Sequence, residues 1–296
     1  LVKEVLGYCL TTEVKAQKGF IFFGTGANGK SVLAEVMTHL YGPENISSLS
    51  INDLDSSFAR SEIVSKTVNI STENEVNGKG LNTQYLKSII AGDLIRIEEK
   101  YKKGFSYKPF CKIIFCCNAL PYSADNSHGF YRRLIIIPFE KTIPHEKQNK
   151  DLVSELVQEL QGIFSYSLQG LRRLKANNYI FSRCLASERM MQEYRREIEP
   201  VFDFIEDNIE STSEEQKISR SRIFLAFRSW CRNNNHVKAK DISNRRFWKK
   251  FRETLKSMKI VAVEGKSNGQ EYFAGITLKK HDNSPELGHE FNKLLD

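Results

Sequence analysis

One short segment has residue types and spacing suited to holding phosphate groups. Residues 24–31, GTGANGKS, fit the pattern Gly-x-x-x-x-Gly-Lys-Ser/Thr. The glycines lack a Cβ, so backbone N–H groups there can wrap phosphates without steric clash. Lys30 would reach the β- and γ-phosphates, and the Ser31 hydroxyl would hold Mg²⁺. We therefore predict a P-loop for ATP and Mg²⁺, formed by Gly24, Thr25, Gly26, Ala27, Asn28, Gly29, Lys30 and Ser31.

The flanking sequence favours a phosphate site over a glycine-rich turn without function. The apolar run GFIFFG (19–24) predicts a buried strand, and KSVLAEVMTHLYG predicts a helix that stops at Gly42. A loop between a strand and a helix N-terminus places its ligand at the positive end of the helix dipole.

Polar residues at the ends of two further predicted strands could complete the site. Glu73 follows the strand TVNIST (67–72) and is the candidate for holding Mg²⁺ and polarising water, with Glu75 as a second candidate. Asn118 closes the strand CKIIFCCN (111–118) and could contact the γ-phosphate or the attacking water. The structural alternatives are a solvated strand end for Glu73 and a turn cap for Asn118.

Positive charge marks two more segments. Arg132 and Arg133 enter the apolar strand RLIIIPF, where one of them could neutralise transition-state charge at a neighbouring subunit's ATP or simply form a surface ion pair. The predicted hairpin at 95–109 carries Lys100, Lys102 and Lys103 around Gly104, with Tyr101 between them. Lysines at a turn are either solvated surface or contacts to single-stranded DNA phosphates. Tyr101 would stack on a base or pack under the tip.

Strands that alternate with helices over 19–180 predict an α/β fold with a parallel sheet and helices on both faces. Helices are also expected near 51–60 and over 82–93, 151–175 and 184–210. After residue 200 the pattern is helix, helix, basic helix and a hairpin turn at Asn268-Gly269, the order of a winged helix-turn-helix.

The positive charge is concentrated in this C-terminal region. The net charge is +8, and residues 200–280 alone carry 17 Lys/Arg against 10 Asp/Glu. This excess favours a polyanionic partner. On the predicted basic helix we expect DNA contacts from Arg245, Arg246, Lys249 and Lys250, whereas the helical spacing of Phe247 and Trp248 indicates core positions.

The segments GTGANGKS, LKSIIAGDLIRIEEKYK, IIFCCNALP and FYRRLIIIPF together resemble superfamily 3 (AAA+) helicases. More narrowly they are similar to the phage and plasmid primase-helicases that are related to poxvirus primase-helicases, including replication proteins of staphylococcal pathogenicity islands. The resemblance covers roughly residues 1–280 and is most specific from 19 to 140.

The resemblance implies an AAA+ (P-loop NTPase) core, a winged-helix domain and a homo-hexameric ring. It implies that Arg133, or Arg132 in its place, and Lys87 contact the nucleotide of an adjacent subunit, with Lys18 as a further candidate. The lysine hairpin would project into the channel of the ring. The implied domains are an upstream helical end (1–18), the helicase domain (19–180), a helical linker (181–210), the winged helix (211–280) and a polar tail (281–296).

Several classes of protein are not expected. The six cysteines form no CxxC pair, so a zinc site is not predicted, and free thiols in the cytoplasm of a bacterial host cell are the simplest interpretation. No membrane segment is predicted. The start at Leu1 suggests that an upstream primase or initiator region is missing.

These observations predict an ATP-dependent DNA helicase that translocates on single-stranded DNA and acts on origin duplex DNA. The alternatives are an AAA+ origin remodeller or helicase loader that does not unwind DNA, and a nucleotide-switched winged-helix regulator.

Overall fold

The computed structural model describes residues 1–72, 74, 83–121, 128–198, 200–213, 215–234, 242–267 and 269–279. The chain divides into two compact units, Leu1–Ile198 and Glu199–Asp296. The division lies inside the stretch 181–210 that the sequence assigns to a linker.

The first unit contains a parallel sheet, a separate hairpin and the helices around them. Its strands are β1 Gly19–Phe23, β2 Ile46–Ser47, β3 Val68–Ser71, β4 Ile95–Ile97, β5 Phe105–Tyr107, β6 Lys112–Cys117 and β7 Leu134–Pro138. Its helices are α1 Val2–Cys9, α2 Lys30–Tyr41, α3 Thr83–Ala91, α4 His128–Tyr131, α5 Leu152–Gln158, α6 Leu160–Ala176 and α7 Leu185–Ile198.

The sheet is parallel in the order β2-β3-β6-β1-β7. In its centre Phe23 at the end of β1 pairs with Cys117 at the end of β6 and with Pro138 at the end of β7. Because parallel strands end at a common edge, the loops after β1, β3 and β6 meet there.

Alternate residues of the strands face two hydrophobic cores, one on each side of the sheet. Phe20 and Phe22 pack with residues of α1, α2 and α6, whereas Ile21 packs with residues of α3 and α7. This period of two explains why the strands are apolar throughout. The predicted α/β class with a parallel sheet is confirmed.

The lysine hairpin lies outside this sheet. Strands β4 and β5 pair only with each other among the described residues, with Ile95 opposite Tyr107 and Ile97 opposite Phe105.

The second unit has its own aromatic core. Its elements are α8 Pro200–Asn208, β8 Ile209–Ser211, β9 Lys217–Ser219, α9 Arg220–Asn233, α10 Asn244–Ser257, β10 Val263–Ser267, β11 Gln270–Ala274 and β12 Ile276–Leu278. Phe204, Phe227 and Phe247 are fully buried against one another. Strands β10 and β11 form an antiparallel hairpin that β9 extends.

One predicted helix differs from the structure. Over 51–60 there are instead two short 3₁₀ segments, Asp53–Asp55 and Ala59–Ile63. The Asp53 carboxylate accepts bonds from the Ser50 backbone and hydroxyl, and such local bonds compete with a helix. Within the helix predicted over 184–210, the structure describes α7 up to Ile198 and α8 from Pro200.

Candidate functional site

The glycine-rich loop lies between β1 and α2, as predicted, and its backbone is shaped by two glycines. Gly29 has a φ of +86° directly before the first helical residue, Lys30. A Cβ on Gly24 would lie 2.3 Å from Asn28 Nδ2 and 2.6 Å from the Phe139 carbonyl oxygen. Glycine is therefore required at position 29 because of the positive φ, and at position 24 because a Cβ would clash.

A segment that sequence reasoning missed braces this loop. After β7, the Phe139 N–H donates to the Phe23 carbonyl at 2.7 Å, and Asn28 Nδ2 donates to the Phe139 carbonyl at 3.2 Å. The Ile143 N–H donates to the Ala27 carbonyl at 2.7 Å. These bonds fix the loop from the side of β7, and no local sequence pattern announces them.

The Lys30 ammonium group is buried at the centre of the loop. Its Nζ donates to the Gly24 carbonyl, to Asn28 Oδ1 at 3.3 Å and to Asn118 Oδ1 at 3.2 Å. Burial lowers the pKa of Lys30 below its usual value. In the part of the chain that the structure describes, no carboxylate lies within ion-pair distance of this cation. A cation that neutral oxygens hold at a helix N-terminus fits an anion such as a phosphate.

The structure joins Asn118 to the loop, because β6 lies beside β1 and the Gly24 N–H donates to the Cys117 carbonyl at 3.1 Å. Asn118, Thr25, Ala27 and Ser31 are exposed, so a ligand has access to their polar groups from solvent. The Ser31 hydroxyl and the Asn118 amide oxygen are hard oxygen donors of the kind that Mg²⁺ accepts.

The predicted carboxylates Glu73 and Glu75 lie outside the described residues. Between them, Asn74 ties the end of β3 to the neighbouring strand. Its Nδ2 donates to the carbonyls of Ser71 at 3.0 Å and Cys116 at 3.1 Å, and its Oδ1 accepts from the Ile51 N–H at 3.1 Å. Sequence reasoning passed over Asn74 because an amide next to two carboxylates gave no signal of its own.

The structure separates the two arginines from the glycine-rich loop. Arg132 and Arg133 precede β7, which runs parallel to β1 with Gly19 opposite Leu134. They therefore lie at the amino-terminal edge of the sheet, about 15 Å from the loop for a five-residue strand at 3.3 Å per residue.

Three cations gather at this second edge. Lys18 Nζ donates to the Arg132 carbonyl, and the pKa of Lys18 is lowered by burial and by the charge of Arg132. Arg133 Nη1 donates to the Gly129 carbonyl at 2.6 Å, and burial, with the Arg132 charge second, lowers its pKa.

Lys87, the remaining cation expected at a neighbouring nucleotide, lies half-buried in the middle of α3.

The structure distinguishes the residues of the hairpin tip from one another. Lys100 and Lys103 are exposed and have no ion-pair partner among the described residues, whereas Lys102 pairs with Glu99. Tyr101 is 104% exposed with a φ of +63°. The alternative in which Tyr101 packs under the tip is therefore wrong, and its ring faces solvent.

On α10, the basic helix of the second unit, some cations are exposed without an ion pair among the described residues, and others pair with carboxylates. Ser243 caps α10 by accepting from the Arg246 N–H at 3.3 Å. Arg245, Arg246 and Lys249 are exposed, and Lys250 is half-buried.

Other residues of this helix serve the fold. Phe247 and Trp248 are buried, which confirms the core positions expected from their spacing. Arg252 is neutralised by Glu264 of β10, at 2.8 Å between Nη2 and Oε2. The exposed residues Arg245, Arg246 and Lys249 thus form the cationic surface of α10.

None of the helices described is long and apolar enough to cross a membrane.

Two family models match the chain in succession. Residues 22–133, from β1 to Arg133, match a family of unknown function (DUF5906). Residues 196–282, which cover most of the second unit, match a family described as Poxvirus D5 protein-like.

Curated viral proteins and solved structures are also similar. The chain is 28% identical over 270 residues to "Putative helicase L207/L206" of Acanthamoeba polyphaga mimivirus, covering 82% of this chain and 28% of that protein. It is 22% identical over 213 residues to "Putative helicase 184R" of Invertebrate iridescent virus 6, covering 63% and 21%. The chain thus spans less than a third of either relative.

The apo structure of the NrS-1 C terminal region superposes with a TM-score of 0.55 at 14% identity, covering 93% of this chain and 71% of that one. At this identity the match supports the fold alone.

Proposed function

We propose that this chain is the motor of an ATP-dependent DNA helicase, with an AAA+ core in the first unit and a winged helix in the second. The observation that carries the proposal is the Lys30 ammonium, held at a helix N-terminus by neutral oxygens and bonded to Asn118 of the adjacent strand. The names of both viral relatives, putative helicases, agree with this proposal.

In this proposal ATP is the substrate, and Mg²⁺ held by Ser31 would supply positive charge to offset the negative charge that develops on the phosphates. The loop N–H groups and Lys30 bind the phosphates, and Ser31 holds the metal. Asn118 would donate to the γ-phosphate from its amide nitrogen, while its amide oxygen accepts from Lys30. Glu73 is proposed to help hold the metal and to polarise the attacking water, with Glu75 as the alternative.

Arg133 is proposed to act on the ATP of a neighbouring subunit, with Arg132 as its alternative. The support is its position, since a residue at the opposite edge of the sheet cannot reach the loop of its own subunit. Head-to-tail contacts of this kind generate rings, which supports a homo-hexamer. Lys87, and Lys18 with it, would face the same neighbouring nucleotide.

DNA is proposed to bind at two surfaces. Lys100, Lys103 and the ring of Tyr101 would contact the backbone and bases of single-stranded DNA in the channel. The cationic surface of α10, together with Lys250, would contact origin duplex DNA. That surface also favours a second candidate function, an origin remodeller that binds duplex DNA and hydrolyses ATP without separating the strands.

The proposal is tested by ATP hydrolysis with and without single-stranded DNA. K30A is expected to lower DNA-stimulated turnover by about 10²- to 10³-fold, the usual effect of removing one group that stabilises transition-state charge. K175A removes an exposed lysine near the end of α6, outside the loop and the segment that braces it, and serves as the control. Undiminished DNA-stimulated hydrolysis by K30A would contradict the proposal.

A further inference from the structure

Arg60 is a buried cation with no place in the site described above. Its side chain is 1% exposed, and it is among the largest fully buried side chains of the described residues. No carboxylate of the described residues lies within ion-pair distance of it, although its charge acts on the nearby carboxyl groups of Asp55 and Glu98. Its Nε atom is buried and has no hydrogen-bond partner there.

The guanidinium group joins its own segment to two elements that are distant from it in sequence, α3 and β4. Nη1 donates to the Leu54 carbonyl at 2.7 Å, and Nη2 reaches the Arg96 carbonyl of β4 at 3.4 Å. On its flat face, the guanidinium carbon lies 3.5 Å from the ring centroid of Tyr85 on α3. Arg60 therefore contacts both the first hairpin strand and the helix that carries Lys87.

The same segment holds both strands of the hairpin at further points. The Glu98 N–H donates to the Ser57 carbonyl at 3.2 Å, and Ser57 Oγ donates to Glu98 Oε2 at 2.7 Å. The Ser65 N–H donates to Tyr107 Oη on β5 at 3.0 Å. We call residues 54–65 the anchoring segment. Outside it, Lys100, Tyr101 and Lys103 extend into solvent.

The residue type at position 60 points to positioning rather than to packing alone. A buried charge without a carboxylate partner is costly, and an apolar side chain of similar volume would often stabilise the fold more. What only arginine provides is a rigid plane that stacks on a ring while its edge donates to separate acceptors.

We propose that Arg60 is a positioning residue that fixes the base of the lysine hairpin to α3, so that hairpin and helix move as one body. Its consequence for DNA rests on the proposed function: a shift of α3 caused by nucleotide at a subunit contact would reach Lys100 and Lys103 through Arg60. The anchoring segment would be the mechanical link between the two.

Hydrogen exchange tests the positioning without ATP or DNA. R60M keeps the volume and removes the donors and the plane. We expect amides over 95–107 to exchange about tenfold faster, the effect of losing one hydrogen bond to a charged group, while β1 and β6 keep their protection. R60K should not restore protection. Unchanged exchange over 95–107 in R60M would overturn the proposal.

Two variants of Tyr85, the residue on which Arg60 stacks, test the same positioning independently. They decide it if R60M does not fold. Y85L removes the aromatic face and should speed exchange over 95–107, whereas Y85F keeps the face and should behave as wild type. Equal exchange in Y85L and Y85F would overturn the role of the stack.

Steady-state kinetics of ATP hydrolysis distinguish positioning of the hairpin by Arg60 from general destabilisation of the fold. In R60M the KM for ATP should stay within about twofold, while the DNA concentration for half-maximal stimulation should rise about tenfold. Equal rises in both would indicate a merely structural residue. Absence of ATP hydrolysis in the wild-type protein would instead contradict the proposed function, and the exchange result would still decide the role of Arg60.

Discussion

At the scale of the residue, the surroundings of each cation decide what it can do. Lys30 is buried among neutral oxygens, Lys102 and Arg252 are neutralised by carboxylates, and Lys100 and Lys103 are exposed. The amino-acid types showed a basic hairpin, but the three lysines were equivalent in the sequence. Only the folded chain shows that Glu99 lies beside one of them.

This difference predicts unequal contributions to DNA binding. The double variant K100A/K103A should lower the slope of log affinity for single-stranded DNA against log salt by about 0.7 for each phosphate that is no longer neutralised. K102A is the matched control and should change the slope less, because Lys102 pairs with Glu99. Anisotropy titrations of labelled DNA over a salt series measure both. A change of slope in K102A of half that in the double variant or more would contradict this assignment.

At the scale of the element, the sequence pattern predicted those strands, helices and loops that form because of their own residues. The apolar runs of β1, β6 and β7 and the glycines at 24–29 led to the strand, loop and helix of the candidate site. The same reasoning placed Asn118 at the end of β6, beside the loop.

Contacts between distant segments were beyond such reasoning. The bonds from Phe139 and Ile143 to the loop, and those from Arg60 to the hairpin, join residues about 35 to 115 positions apart. Asn74 likewise acts through carbonyls of a neighbouring strand. A sequence pattern has no signal for such partners, because they are chosen by the packing of whole elements.

Burial of the sheet also sorts the cysteines by reactivity. Burial raises the pKa of Cys116 to about 11 and of Cys117 to about 12, whereas the Ser187 backbone N–H beside Cys184 lowers the pKa of that half-exposed thiol. The thiolate is the reactive form, so Cys184 should react first.

Alkylation at neutral pH is therefore expected to modify Cys184 fastest in the native protein and all six cysteines after denaturation. Mass spectrometry of peptides locates the label, and C184S should remove the fast phase. Labelling of Cys117 as fast as Cys184 in the folded protein would contradict the buried sheet.

At the scale of the whole molecule, the two edges of the parallel sheet separate two groups of candidate site residues. The glycine-rich loop and Asn118 lie at the carboxyl edge, and Lys18, Arg132 and Arg133 lie at the amino edge. A nucleotide that needs both groups must therefore lie between two copies of the chain.

Mixing variants tests this arrangement. K30A and R133A should each hydrolyse little ATP alone. An equimolar mixture should recover about a quarter of the wild-type activity, because that share of contacts joins an intact loop to an intact arginine in a head-to-tail ring. ATP turnover across mixing ratios gives the result. A mixture no more active than the separate proteins would contradict action between subunits.

Displacement of the shorter strand from a forked DNA duplex is the decisive measurement for the proposed helicase. We expect wild-type protein to separate the strands with ATP, whereas neither K30A with ATP nor wild-type protein with a non-hydrolysable analogue should do so. Hydrolysis of ATP without displacement would contradict a helicase and favour an origin remodeller. Displacement that persists in K30A would contradict an ATP-driven motor altogether.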